Sequence, residues 1–145
     1  MLFLNLAIGL PLVVATVLIH FAGLIGLSSL LRRKWEADKN RFQSTLWQGI
    51  AIVIVVNGLF ALHLIQVSLY AVVYILLGEF STIEEAFYFS ITTFTTVGFG
   101  DVTLDQSWRV LAGIESAIGF LLIGWSTAFL VSLTGRIRSI EAAVD

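Results

Sequence analysis

The chain is 145 residues long, 58% hydrophobic and only 12% charged, where soluble domains average roughly 45–50% and about 25%. That composition is a membrane protein's, and the formal net charge of −2 gives no reason to expect nucleic acid as a partner. Without a cysteine, disulfides, thiolate metal sites and cysteine nucleophiles are all excluded.

Four long stretches carry no Asp, Glu, Lys or Arg: Met1–Leu31, Phe42–Gly78, Ala86–Gly100 and Ser116–Gly135. A spanning helix needs roughly 20 mainly apolar residues, so three of them are long enough to cross a bilayer and the third in order is too short. The first opens without charge and ends in Arg32-Arg33-Lys34, which reads as a retained anchor rather than a cleaved signal. We expect a helix over about Leu4–Leu31, with Pro11 kinking it or weakening its first turns. It carries no arginine repeat of the voltage-sensing kind.

Five of the eight basic residues (Arg32, Arg33, Lys34, Lys39, Arg41) lie between the first two stretches, and Arg136 and Arg138 follow the last. The positive-inside rule puts both groups in the cytoplasm. The N-terminus is therefore expected outside and the C-terminus inside, in a multi-pass protein of the cell (plasma or inner) membrane. The basic residues Arg32, Arg33 and Lys34 are candidates for holding anionic lipid head groups, although the positive-inside bias alone accounts for them.

A second spanning helix is expected over about Thr45–Leu77. His63 and Gln66 lie along it as candidates for pH sensing or for an interhelical hydrogen bond, and His20 on the first helix is another.

Next, Ser81-Thr82-Ile83-Glu84-Glu85 places a hydroxyl residue three positions ahead of a glutamate twice over, the mark of a capped helix start. A helix from about Ile83 to Phe94 would be roughly 18 Å long, about half a membrane. It meets Thr95-Thr96-Val97-Gly98-Phe99-Gly100-Asp101, where alternate glycines license positive φ and end any helix. Irregular backbone at membrane depth is tolerated only where protein buries it or water lines it. The segment is thus expected to dip in and return without crossing. A third spanning helix, about Ser107–Ile137, completes the chain.

The run Thr96-Val97-Gly98-Phe99-Gly100-Asp101 resembles the selectivity-filter signature of potassium channels, in its GFG form. The spacing from Arg109 to Gly119 and on to Gly124 is similar to that family's inner helix, with its outer arginine, hinge glycine and second small residue. The resemblance covers about Thr45–Ile137 and suits small prokaryotic two-helix-plus-pore-loop channels, here with an extra N-terminal helix. It implies an all-α membrane fold: three transmembrane helices, with a re-entrant pore helix and filter loop between the second and third, in a C4 homotetramer. Four parts follow: an N-terminal helix (1–31), a basic cytoplasmic linker (32–44), a pore domain (45–137) and a short tail (138–145).

The implied function is passive potassium conduction, with K+ as the permeating ion and no cofactor. Carbonyls of Thr96, Val97, Gly98, Phe99 and Gly100, with the Thr96 hydroxyl, would replace the ion's water, K+ sitting at Thr96, Val97, Gly98 and Phe99. One chain supplies only one strand of the cage of about six to eight oxygens that hard cations generally need. The chain departs from the family in having Thr92 where a glutamate is common behind the filter, Phe99 for tyrosine, and Leu104 for proline. Tyr88 occupies the position of an aromatic that donates to the filter's aspartate, here Asp101.

Glu115 lies in the outer half of the third helix, where a centrally placed carboxylate costs about 2.5–3.5 kcal/mol on insertion scales. It sits roughly 100° around the helix from the face of Ser116, Phe120, Ile123, Thr127 and Val131, which suits a pore lining. We expect Glu115 to brace the filter from behind, with Thr92, Thr93 or His63 as partner, or else to be a solvated rim charge. Val131 is the expected hydrophobic gate, with Gly119 or Gly124 as the hinge. Two alternatives stand: a weakly selective cation channel, and a non-conducting membrane adaptor or regulatory subunit. An enzyme is not expected, since the scattered Ser, His20, His63 and Glu115 show no nucleophile-and-base spacing.

Overall fold

The computed structural model describes residues 1–37 and 45–141. Residues 38–44, with Lys39 and Arg41 of the expected linker, and 142–145 of the expected tail lie outside the described residues. Every element among the described residues is helical: α1 (Leu2–Ala37), α2 (Thr45–Leu76), α3 (Ile83–Phe94), a 3₁₀ turn (Gln106–Trp108) and α4 (Arg109–Glu141). The segments Leu2–Arg33, Leu46–Leu76 and Gln106–Gly135 are long and apolar enough to span a membrane. The 12-residue α3 is not.

α1 outruns its expected end at Leu31. The charged residues that looked like a linker continue the helix through Glu36, whose carboxylate lies 3.8 Å from Arg32 Nε one turn earlier. Arg, Lys and Glu are good helix formers, so charge here marks where the apolar span stops without stopping the helix. The helix is also unbroken across Pro11. Pro11 faces outward, and its missing N–H removes a single hydrogen bond near one end.

The side of α1 that packs between α2 and α4 buries Asn5, Leu12, Thr16, His20 and Leu24, a stripe at helical spacing. Asn5 anchors it. Its Nδ2 donates to the Ser107 carbonyl (2.7 Å) and to Met1 O (2.9 Å), while its Oδ1 accepts from the Leu111 N–H (2.9 Å). Leu111 is in the first turn of α4, where N–H groups lack partners within the helix. A side chain of α1 thus caps α4.

α2 ends at a glycine in the left-handed region, Gly78 (φ 77°). Its N–H donates to Ile75 O (3.0 Å) and the Glu79 N–H to Tyr74 O (3.1 Å), the paired bonds that satisfy a helix's last carbonyls. α3 opens at Thr82, whose hydroxyl accepts from the Glu85 N–H (3.2 Å). α3 lies against both α2 and α4. An aromatic cluster holds it: the Tyr74 and Phe89 rings meet edge to face at 5.3 Å, with Phe80 5.3 Å from Phe89.

Candidate functional site

The end of α3 and the loop after it are built as one piece. The Thr95 N–H and hydroxyl both reach Ile91 O (3.1 and 2.7 Å), and the Thr96 N–H reaches Thr93 O (3.0 Å). The Gly98 N–H then turns back to Thr92 O (3.0 Å). Three of the last carbonyls of α3 are thereby satisfied. Beyond that point φ is positive at Thr96 (62°), Gly98 (50°) and Gly100 (79°), and at neither Val97 nor Phe99. A threonine in this region costs of order 1–3 kcal/mol. In an ordinary extended chain successive carbonyls face opposite ways. Alternating left- and right-handed residues turn every second peptide over, so that consecutive carbonyls share a side. The stretch is exposed on the single chain, including Val97 (52%) and Phe99 (70%).

The turn after the loop is tied to α3. The Tyr88 hydroxyl donates to Asp101 Oδ2 (2.8 Å), and Asp101 Oδ1 accepts from the Val102 N–H (3.0 Å). The Tyr88 bond, more than any other contact, holds the Asp101 carboxyl below its ordinary value, and the same bond raises the Tyr88 phenol. Farther along, Glu79 Oε2 accepts from the Asp105 N–H (2.9 Å).

Behind α3, α4 comes close enough that a Cβ on Gly119 would collide with the Phe94 carbonyl. Gly119 is therefore a contact point in a continuous helix, a demand on the residue separate from the expected hinge. Gly124 has open space around it.

Glu115 is fully buried (0% exposed), so it is no rim charge. Its partners differ from the expected Thr92, Thr93 and His63. Tyr74 Oη donates to Glu115 Oε2 (2.6 Å), and Glu115 Oε1 lies 2.5 Å from Ser90 Oγ, which is itself 2.9 Å from the Val67 carbonyl. Ser90 has one proton for two oxygens, the Val67 carbonyl and Glu115 Oε1; with that proton given to Val67, the short contact is met by a proton on Glu115. Thr92 spends its hydroxyl on Tyr88 O and Phe89 O of its own helix (3.1 and 3.0 Å). Thr93 is half-buried, its carbonyl taken by Thr96. His63 bonds Gln66 and Ser126 instead (both 3.0 Å).

A family model described as "ion channel" matches residues 62–136, just over half of the chain. The chain belongs to the ion channel family. No curated protein and no solved structure matches it. The channel match takes in the end of α2, all of α3, the loop and most of α4, and leaves α1 outside.

On the channel's α4, Phe120, Thr127 and Val131 are exposed, and Ser116 and Ile123 are half-buried. All five lie away from buried Glu115, Ile118 and Leu122. Sequence reasoning missed Tyr74, Ser90, Ser126 and Asn5. A signal for the first existed: His63, Gln66, Tyr70 and Tyr74 put four hydrogen-bonding side chains on one face of an apolar helix.

Proposed function

We propose that the chain is a passive potassium-selective channel in which four copies surround one axis lined by Thr96–Gly100. The observation that carries this reading is the alternation of φ in an exposed segment, positive at Thr96, Gly98 and Gly100 and at neither Val97 nor Phe99, a pattern that suits carbonyls turned to one side. The segment's N–H groups at Thr96 and Gly98 turn back to α3, while no carbonyl of Thr96–Gly100 meets a partner among the described residues, and unpaired backbone at membrane depth costs several kcal/mol per group unless an ion or water meets it. Four strands around an axis supply the oxygens a dehydrated cation requires, with K+ bound at Thr96, Val97, Gly98 and Phe99.

α3 works with this cage. Its C-terminal end carries the partial negative charge of the helix and faces the base of the strand, which favours a cation and repels an anion. The exposed α4 face of Ser116, Phe120, Ile123, Thr127 and Val131 lines the path below, with the Val131 ring as the gate. Glu115, Tyr74 and Ser90 fix the back of α3, while Tyr88 and Asp101 fix the outer turn. The N-terminus lies outside and the C-terminus in the cytoplasm, as the basic residues direct. Exposed Arg32 and Arg33 on the last turns of α1 meet anionic head groups there.

One observation favours weaker selectivity. The Thr92 hydroxyl is turned to its own helix, so its side chain adds no brace to the one that the Thr92 carbonyl gives the Gly98 N–H. Flux from liposomes holding only the purified protein, potassium against sodium, separates the two readings. Equal flux from assembled tetramers supports the weakly selective channel, and no flux supports the adaptor.

A further inference from the structure

Four side chains from three helices meet inside the bundle beneath α3: His20 of α1, His63 and Gln66 of α2, and Ser126 of α4. Gln66 Nε2 lies 3.1 Å from the Thr16 carbonyl and 3.3 Å from His20 Nδ1, and Gln66 Oε1 lies 3.0 Å from His63 Nδ1. Ser126 Oγ lies 3.0 Å from His63 Nε2 and 3.5 Å from His20 Nε2.

The protons in this ring can be placed by elimination. The Thr16 carbonyl only accepts, so the Gln66 atom facing it is the amide nitrogen, and the amide orientation is set. Gln66 Oε1 then only accepts, and His63 must carry its proton on Nδ1. A neutral His63 leaves Nε2 as acceptor, which takes the Ser126 hydroxyl proton. Ser126 Oγ is free to accept from His20 Nε2–H, and His20 Nδ1 accepts the second Gln66 amide proton. Each bond runs in the same sense around the closed ring, and the two histidines are opposite neutral tautomers.

The geometry points to a latch: this ring holds α1 onto α2 and α4, and acid opens it by protonating His20. A second proton on His20 would sit on Nδ1, aimed at the Gln66 amide donors. The amide cannot turn over to receive it, because the Thr16 carbonyl and His63 Nδ1–H both require its present orientation. His63 is the tolerant member, since a proton on its Nε2 meets an Oγ with two lone pairs and a rotatable hydrogen. The other groups facing the two imidazoles are the rings of Trp125 of α4 (5.3 Å from His20) and Phe94 of α3 (5.7 Å from His63), and the rings themselves are 5.4 Å apart. Among the described residues neither histidine is bonded to a carboxylate or a basic group. Glu115, the acid farther along α4, is engaged by Tyr74 and Ser90, and Tyr70 lies one turn beyond Gln66. No neighbouring charge is placed to share the added proton.

Ser126 lies within the stretch of α4 proposed to line the pore, two residues past Gly124, which has open space around it. Release of the ring frees that end of α4 from α1 and lets it swing outward. This consequence for flux rests on the channel reading; the ring itself does not.

The chain has two histidines, so the wild-type protein, made without a polyhistidine tag and labelled with 15N-histidine, gives two imidazole spin systems. In bilayers at about pH 7.5, NMR should show two neutral rings, one protonated at Nδ1 and the other at Nε2. Two rings of the same tautomer, or a cationic ring, would overturn the proposal. In liposomes, lowering the pH to about 5 should raise flux at least about threefold and reversibly, with the rise absent in His20→Gln, which cannot take the charge. Opposite tautomers with flux indifferent to acid, or an unchanged acid response in His20→Gln, would sink the latch. Absence of flux at every pH would count against the channel reading, and the tautomer measurement would still decide the ring.

Discussion

Glu115 offers the sharpest test of how the pore region is braced. Replacement by Gln keeps the outline of the side chain and its polarity in the right sense: an amide N–H faces Ser90 Oγ, and an amide oxygen accepts from Tyr74. Both bonds of the native side chain survive, the 2.5 Å contact relaxing to an ordinary length. Replacement by Ala removes both. Interhelical hydrogen bonds in membranes are worth about 0.6 kcal/mol on average and up to about 1.7, so two of them contribute about 1–3 kcal/mol. The void behind α3 adds roughly 1–2 kcal/mol. The Tyr74 hydroxyl is left without its acceptor in a fully buried position, which lies at the upper end of that range. A loss of about 3 kcal/mol per chain is a factor of roughly 10² in the folded arrangement of each subunit, compounded over the four copies of the proposed tetramer. Resistance of the proposed tetramer to heat in detergent, followed by gel, should therefore order as wild type, then Glu115→Gln close behind, then Glu115→Ala far below. The ratio of potassium to sodium flux should fall in the same order. An Ala variant equal to wild type in both would refute the bracing argument, and a Gln variant as damaged as Ala would refute the proton placement.

Gly119→Ala sets a Cβ against the Phe94 carbonyl and should cost about 1–3 kcal/mol of assembly stability. Gly124→Ala should cost little, so equal losses in the same gel assay would show that contact is not what glycine serves at 119. Val131→Asp should keep the proposed constriction wet and raise basal flux by about tenfold; unchanged flux would move the gate to the strand at Thr96–Gly100. Asp101, held down mainly by Tyr88, should stay ionised through its ordinary value of 3.8. Its contribution is fully present above that value and is lost only as the pH falls through the lowered one. Tyr88→Phe should bring the carboxyl back toward 3.8 in an NMR titration, and an unmoved titration would show that the Tyr88 bond is not the cause.

The bounds of α3 were legible because they are written in local chemistry: Thr82 ahead of Glu85 caps its start, and glycines at 98 and 100 forbid its continuation. The end of α1 was not, because a charged run ends an apolar span whether or not it ends the helix, and Arg32 through Glu36 stay helical. Glu115 stood out by its chemical type and its depth, but its partners did not. Ser90 and Thr92 lie about 200° apart on α3, and which of them meets α4 depends on how the two helices cross, a long-range outcome that no local pattern encodes. The docking of α1 hid for another reason. In lipid the outward face is as apolar as the inward one, so the hydrophobic alternation that marks a soluble helix is missing. The buried face is marked instead by its polar members, Asn5, Thr16 and His20: Asn5 reaches Ser107 and Leu111, and His20 and the Thr16 carbonyl reach Gln66, all more than forty residues away.

Whether the segment at Thr96–Gly100 is a potassium path is measured most directly by cation flux through the reconstituted protein. With purified protein in liposomes under opposed gradients, potassium should pass well ahead of sodium and be blocked by barium, an ion of similar size and twice the charge. In Gly98→Ala, where a Cβ enters the left-handed region at a cost of about 1–2 kcal/mol per chain, that flux should vanish while the tetramer remains. Equal passage of the two ions through wild-type tetramers, or potassium selectivity retained in Gly98→Ala, would contradict a potassium path there.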